Sequence, residues 1–172
     1  FLAGALLTIR LTVVSIALGF GLGTVCAVLR VWGGPVVRRL VGAYVEIIRN
    51  TPLLVQIFIV YFGIATLGLK IGAETSAVIA LVINVGAYTT EIMRAGIESI
   101  PRTQIEAADC LGLKRLQVIT HIVLLPAMER VYPALSSQFV LLMLASSITS
   151  QISAEELTAV ANLIQSDTYR SF

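Results

Sequence analysis

The chain has 172 residues, 57% of them hydrophobic and only 13% charged, with a formal net charge of +2 at pH 7. Globular chains carry roughly 45–50% apolar and about 25% charged residues, so this composition excludes an ordinary water-soluble domain. The small positive balance gives no sign of nucleic-acid binding.

The charges are absent from long stretches: between Arg10 and Arg30, Arg49 and Lys70, Glu74 and Glu91, and Arg130 and Glu155. A helix needs roughly 17–25 apolar residues to cross the hydrocarbon layer. The gaps predict four spans, at about 9–30, 52–69, 76–95 and 131–150. The third reaches full length by including Glu91 and Met93. A soluble bundle of buried helices is the alternative, but helices of such length in water show a polar stripe, and these are apolar nearly all round.

Arg30, Arg38, Arg39 and Arg49 fall between spans one and two. Arg94, Arg102, Lys114, Arg115 and Arg130 fall between spans three and four, and only Arg10, Lys70 and Arg170 lie elsewhere. Positive charge is retained on the inner side, so 30–50 and 94–130 are expected in the cytoplasm and both chain ends outside. The N-terminus has no basic region followed by a cleavage site, so no cleavable signal peptide is expected.

Span one carries Gly19, Gly21 and Gly23, small residues that let helices approach closely in lipid. Trp32, Gly33, Gly34 and Pro35 break it near the interface. Segment 36–49 then alternates an apolar face (Val36, Val37, Leu40, Val41, Tyr44, Ile47, Ile48) with Arg38, Arg39 and Glu46, a pattern for a helix on the membrane surface or against a partner. Asn50, Thr51 and Pro52 signal the start of span two, and Gly68 with Gly72 makes the outer turn. Cys26 lies in a span and Cys110 in a loop, so no disulfide is expected between them, and no metal-ligand spacing surrounds the single histidine, His121.

Span three contains Asn84, Gly86, Tyr88, Thr89, Thr90 and Glu91. Such groups in lipid are costly unless they face protein or water. Helix-to-helix hydrogen bonds and a polar path are both open readings. Glu91 and Arg94, three residues apart, are expected to pair on one face. The loop at about 99–127 reads as two short helices: one from about 104 to 111, with a Thr103–Glu106 capping box and a left-handed stop at Gly112, and one from about Lys114 that ends before Pro126. Span four ends in Ser146, Ser147, Thr149, Ser150 and Gln151. A second capping box, Ser153–Glu156, predicts an amphipathic outer helix at about 154–167. The whole chain, 1–172, reads as one all-α domain.

The loop carries a recognisable pattern. Glu106-Ala107-Ala108, three residues, Gly112 and a stretch to Ile122-x-Leu124 resemble the EAA loop of ABC importer permeases. Arg49-Asn50-Thr51-Pro52-Leu53-Leu54-Val55-Gln56 resembles R-x-TPLLVQ of the amino-acid-type branch. Asn84-x-Gly86-Ala87-Tyr88 with Glu91 and Arg94, Ile100-Pro101 with Gln104 and Glu106, and Glu156-Leu157-Thr158 resemble further patches of that branch, in the same order. Three features depart from it. Thr103 replaces a glycine, Pro126 comes one place late, and Leu144-Ala145 stand where relatives carry a polar pair such as Lys-Asp.

The resemblance implies a type I importer transmembrane fold in the bacterial inner membrane, multi-pass, with the EAA loop cytoplasmic. Glu106, Ala107, Ala108, Asp109, Leu111 and Gly112 would form a coupling helix and its bend, seated on an ATPase. Implied partners are two ATP-binding subunits, a second permease (the same chain or a homologue), an extracytoplasmic substrate-binding protein and the lipid bilayer. The cargo would be a polar amino acid. The chain would hold no cofactor, ATP and Mg being bound by the partner ATPase; it has no phosphate-cradling glycine loop and is not expected to be an enzyme. Asn84, Tyr88, Thr89, Ser146, Ser147 and Thr149 are candidates for the substrate path. Relatives continue past Ser171-Phe172 into a fifth span, so the resemblance implies one missing here, with a four-span form as the other reading. A passive channel or ion-coupled secondary transporter is the alternative function, for which only Glu91 resembles an intramembrane relay. A membrane enzyme using Ser146, Ser147 or Thr149 lacks a nearby base.

Overall fold

The computed structural model describes residues 2–69 and 71–168. Lys70, Arg170, Ser171 and Phe172, which enter the charge asymmetry and the expected fifth span, lie outside the described residues.

Helix α1 runs from Leu2 to Trp32 and buries Gly4, Thr8, Leu11, Thr12, Ser15, Gly19, Gly23 and Ala27. That spacing puts small residues along one ridge, and the ridge meets α4, Ala73–Glu98. A Cβ on Gly19 would stand 2.7 Å from Val85 Cγ1, and one on Gly23 2.5 Å from Thr89 Cβ. The glycines thus set the separation of the two helices, as small residues do where packing rather than water exclusion drives association. Contacts advance together along both chains, so α1 and α4 run parallel. Helix α4 is the hub: 61% of its apolar window is buried, against 33% for α1.

Helix α2, Pro35–Arg49, starts with proline in its first turn, where the missing N–H costs nothing. It turns through 107° into α3, Leu53–Thr66. Gln56 ties the bend: its Nε2 donates to Ile48 O at 2.7 Å and to Thr51 O at 2.8 Å. Tyr44 Oη, from α2, donates to Ile83 O of α4 at 2.6 Å.

Among the described residues, three helical runs are long and apolar enough to cross a membrane: Leu2–Trp32, Ala73–Glu98 and Arg115–Ile152. The bent pair α2–α3 makes a fourth if taken as one broken span. The predicted second span over 52–69 is therefore shorter as a helix. Its 14 residues rise about 21 Å, because the chain turns at Leu67 and at Gly68, whose φ is +82°.

The loop departs from expectation in two ways. Helix α5 spans Arg102–Cys110 with Pro101, in extended geometry, at its N-cap and no side-chain cap bond. The Thr103–Glu106 capping box is not formed, because the helix begins ahead of Thr103 and both residues lie inside it. The short helix expected to end before Pro126 instead continues into span four. Arg115–Gln117 (α6) leads through a π turn, Val118–Leu124, into α7, Leu125–Ala145. A π turn widens the helix, which makes room for the Pro126 ring where it would collide with the carbonyl one turn back. Pro133 also sits inside α7.

Helix α7 ends in a 3-10 turn, Ser146–Ile152, and Ser153 follows at φ 62°. The expected Ser153–Glu156 box is replaced by a cap from Glu156 alone. Its Oε1 accepts from Ala159 N–H at 3.1 Å, and the outer helix α8 starts at Leu157 and runs to Thr168. Glu156 is buried. The Thr8 hydroxyl stands between α1 and this cap, 3.4 Å from Glu156 Oε2, and accepts from Leu157 N–H at 3.1 Å.

Candidate functional site

Two regions carry the chemistry. The first is a polar cleft where the α2–α3 bend meets α4 and α7. Helix α4 runs antiparallel to α7, with Gly96 against Ala127 and Val131 at one end and Leu81 and Val85 in one cluster with Leu142 at the other. The bend is held off this pair, leaving a cavity of about 490 Å3 lined by Arg49, Asn50, Thr51, Asn84, Tyr88, Gln138 and apolar residues that include Ala145.

Asn84 is held in place by the bend itself. Its Nδ2 donates to Gln56 Oε1 at 3.0 Å, and Gln56 is fixed by the two carbonyls that it caps. One of the two N–H groups of Asn84 Nδ2 is thereby engaged, while its Oδ1 makes no hydrogen bond within the described residues, and the residue lines the cleft. The Arg49 guanidinium lies 5.4 Å from the centre of the Tyr88 ring, a cation–π distance.

The six path candidates separate. Asn84 and Tyr88 line the cleft. Thr89 does not: it is fully buried, faces Gly23 of α1, and its hydroxyl has no partner among the described residues. Ser146 and Thr149 are buried, and their hydroxyls donate back to Met143 O and Ser146 O, both at 2.7 Å. Ser147 donates to Leu144 O at 2.8 Å. All three bond within the 3-10 turn and the helix end before it, outside the cleft lining. Conversely, Arg49 and Gln138 line the cleft and are absent from the sequence-based set. The signal for Arg49 was its place at the head of the R-x-TPLLVQ resemblance, where it counted only among the inner-side charges.

Below the cleft, towards the end of the bundle that carries α5, charges form a network. Glu91 bonds Arg94 through Oε2, at 2.8 Å to Nη2 and 3.2 Å to Nε. Arg94 reaches on to Glu98 at 2.6 Å, and Arg30 of α1 pairs with Glu91 Oε1. The Arg30 and Glu91 side chains are only 22% and 18% exposed, so the pair is partly withdrawn from solvent. Removing Glu91 leaves two guanidinium groups facing each other without their shared counter-charge. Glu91→Ala is expected to destabilise the protein by about 1–3 kcal/mol, discounted from the fully buried case. Thermal unfolding in detergent checks this, and the triple replacement Arg30→Met, Glu91→Leu, Arg94→Met should recover much of the loss.

The second region is the elbow formed by α5 and the turn after it. Gly112 has φ +70°, its N–H bonds Asp109 O at 3.0 Å, and Leu113 N–H bonds Ala108 O at 3.2 Å. This is the two-bond left-handed helix stop that glycine permits without strain. The expected stop at Gly112 is thus present. Glu106, Ala107, Asp109, Cys110 and Leu111 are exposed, whereas Ala108 is buried and packs with Ile100 and Val118. Ala108 therefore anchors α5 to the bundle, and the outward face is left to its neighbours. On the far side of the elbow, Gln117 Oε1 accepts from Lys114 N–H at 2.9 Å.

Residues 19–171 match the model of the family described as the inner membrane component of binding-protein-dependent transport systems. The chain is similar to the probable glutamine ABC transporter permease protein GlnP of Bacillus subtilis, at 37% identity over 94% of this chain and 74% of that protein. It is also similar to the nopaline transport system permease protein NocM of Agrobacterium fabrum, at 36% identity over 98% of this chain and 74% of that one. Among solved structures, it superposes on that of an amino acid ABC transporter with histidines, with a TM-score of 0.88, 36% identity, and coverage of 100% of this chain and 80% of that chain.

Proposed function

Because this chain belongs to the family of binding-protein-dependent transport system inner membrane components, we propose that its cleft is one wall of a path for polar amino acids and that its elbow is the handle by which a separate ATPase opens that path. As an ABC importer permease in the inner membrane, the chain works with ATPase and substrate-binding components. Two ATP-binding subunits, which bind the ATP and Mg, seat the α5 face made by Glu106, Ala107, Asp109 and Leu111, with Gly112 fixing its angle. A second permease, identical or homologous, faces the open side of the cleft. A binding protein delivers cargo at the opposite end, and α5 lies in the cytoplasm.

The observation that carries the cargo reading is the cleft lining. Arg49, Asn84 Oδ1 and Gln138 offer a cation, an acceptor and an amide around about 490 Å3, which suits a small molecule with a carboxylate and nitrogen donors. The similar proteins named for glutamine and nopaline point to cargo of that chemistry. An ion-coupled transporter would need an unpaired intramembrane carboxylate, whereas Glu91 is bonded to two arginines.

The test is uptake of radiolabelled standard L-amino acids into proteoliposomes holding the complete transporter and its binding protein. ATP-dependent accumulation of a polar amino acid is expected. Asn84→Ala should lower it about tenfold, the scale of one lost hydrogen bond to a charged group. Accumulation of none of the panel would end the cargo reading. Accumulation without ATP would end the importer mechanism.

A further inference from the structure

A second cavity opens on the far side of Arg49. It measures about 330 Å3 and is lined by Arg30, Val45, Glu46, Arg49, Asn50, Tyr88 and Glu91. It shares Arg49, Asn50 and Tyr88 with the cleft, so the two spaces meet around one guanidinium. Their chemistries differ. The cleft has a single charged side chain, Arg49, whereas this inner cavity has two of each sign.

Those four charges are not equivalent. Glu91 is already engaged by Arg30 and by Arg94. Glu46 and Arg49 stand three residues apart on α2, a spacing at which opposite charges commonly pair, yet neither takes part in an ion pair among the described residues. The Glu46 carboxylate has no hydrogen-bond or ion-pair partner among the described residues, and Arg49, which lies over the face of Tyr88, makes no direct ion pair among them. An unpaired carboxylate and an unpaired guanidinium around one small cavity form the complement of a zwitterion.

We infer that this cavity is a second, inner binding site for the head group of an α-amino acid, with Arg49 taking the carboxylate and Glu46 the ammonium. The inference rests on the amino-acid reading of the cleft. Arg49 then serves both spaces: cargo held by its carboxylate in the cleft moves inward without releasing that anchor, and gains Glu46 as a partner for its ammonium. A cargo lacking either head-group charge loses one of the two contacts.

The experiment uses the complete transporter in nanodiscs without ATP. Equilibrium binding is measured for the radiolabelled standard L-amino acids, then for the N-acetyl derivative and the methyl ester of whichever binds. Glu46→Gln should weaken the free amino acid about tenfold and abolish its advantage over the N-acetyl form. Glu46→Asp, which keeps the charge, should retain that advantage. Arg49→Gln should abolish the advantage over the methyl ester. Asn84→Ala, outside this cavity, should weaken binding yet preserve the preference for a free amine, and Arg39→Gln should change nothing. An unaltered amine preference in Glu46→Gln overturns the inner site while leaving the cargo reading intact. A wild-type transporter that neither binds nor imports any amino acid overturns both.

Discussion

Replacing Gly23 by leucine is expected to cost the fold more than any other single change in α1. A Cβ there would lie 2.5 Å from Thr89 Cβ, 2.7 Å from Thr89 Cγ2 and 2.8 Å from Gly86 O. The third neighbour is backbone of the hub helix, so it cannot rotate away. Relief requires α1 and α4 to separate along their whole shared ridge, which also opens the Gly19–Val85 contact and moves Arg30 from Glu91. Overpacking of this kind costs about 3 kcal/mol at the upper end of its usual range. At roughly 2–4 °C per kcal/mol for a chain of this size, the melting midpoint should fall by roughly 6–12 °C. Fluorescence-detected gel filtration after heating would measure it. Gly21→Leu supplies the control, since nothing lies within 4 Å of a Cβ there. An equal loss at both positions would mean that general glycine-to-leucine effects, rather than the ridge, govern stability.

Gly112→Val is expected to leave the fold standing and to stop transport. No neighbour lies within 4 Å of a Cβ at Gly112, but its φ of +70° disfavours any side chain, and a β-branched one most of all. At roughly 1–2 kcal/mol for a left-handed residue with a Cβ, the strain is more easily released by reopening the turn than by bending the bundle. Both bonds of the helix stop are then lost and α5 points elsewhere. Stimulation of ATP hydrolysis by loaded binding protein should fall more than tenfold, with the melting midpoint within about 2 °C of wild type. Glu106→Lys, on the exposed face of α5, should weaken stimulation through charge reversal and also leave the midpoint unchanged. Normal stimulation in both variants would remove the coupling role from the elbow.

The membrane-spanning pattern was readable because charges are nearly forbidden in hydrocarbon, so their absence from four stretches is itself a physical signal. The glycine stop was equally readable, since Gly112 falls just past one helical stretch and before another, where a left-handed glycine commonly ends a helix. Capping boxes were misread for a local reason. Thr103 and Ser153 have the right spacing to Glu106 and Glu156, but the proline at 101 and the left-handed turn at Ser153 set the helix starts elsewhere. Thr89, Ser146 and Thr149 share one lesson. A hydroxyl in a helix can turn to its own backbone or to a glycine groove, and spacing cannot tell which face looks into a cleft. Arg49 reaches the cleft lining at the end of α2, beside a 107° bend that the residue pattern does not show. The Arg30–Glu91 pair needed the parallel register of α1 and α4, which depends on tertiary packing.

The run from Arg115 to Ile152 is continuous over 38 residues, with a π turn, an internal Pro133 and a 3-10 end along its length. Only 17% of its apolar window is buried against the rest of the chain. Among the three described runs long enough to cross a membrane, it is the longest and the one least buried within the chain. One continuous helical run thus leads from beside the elbow to Gln138 and Ala145 in the cleft wall.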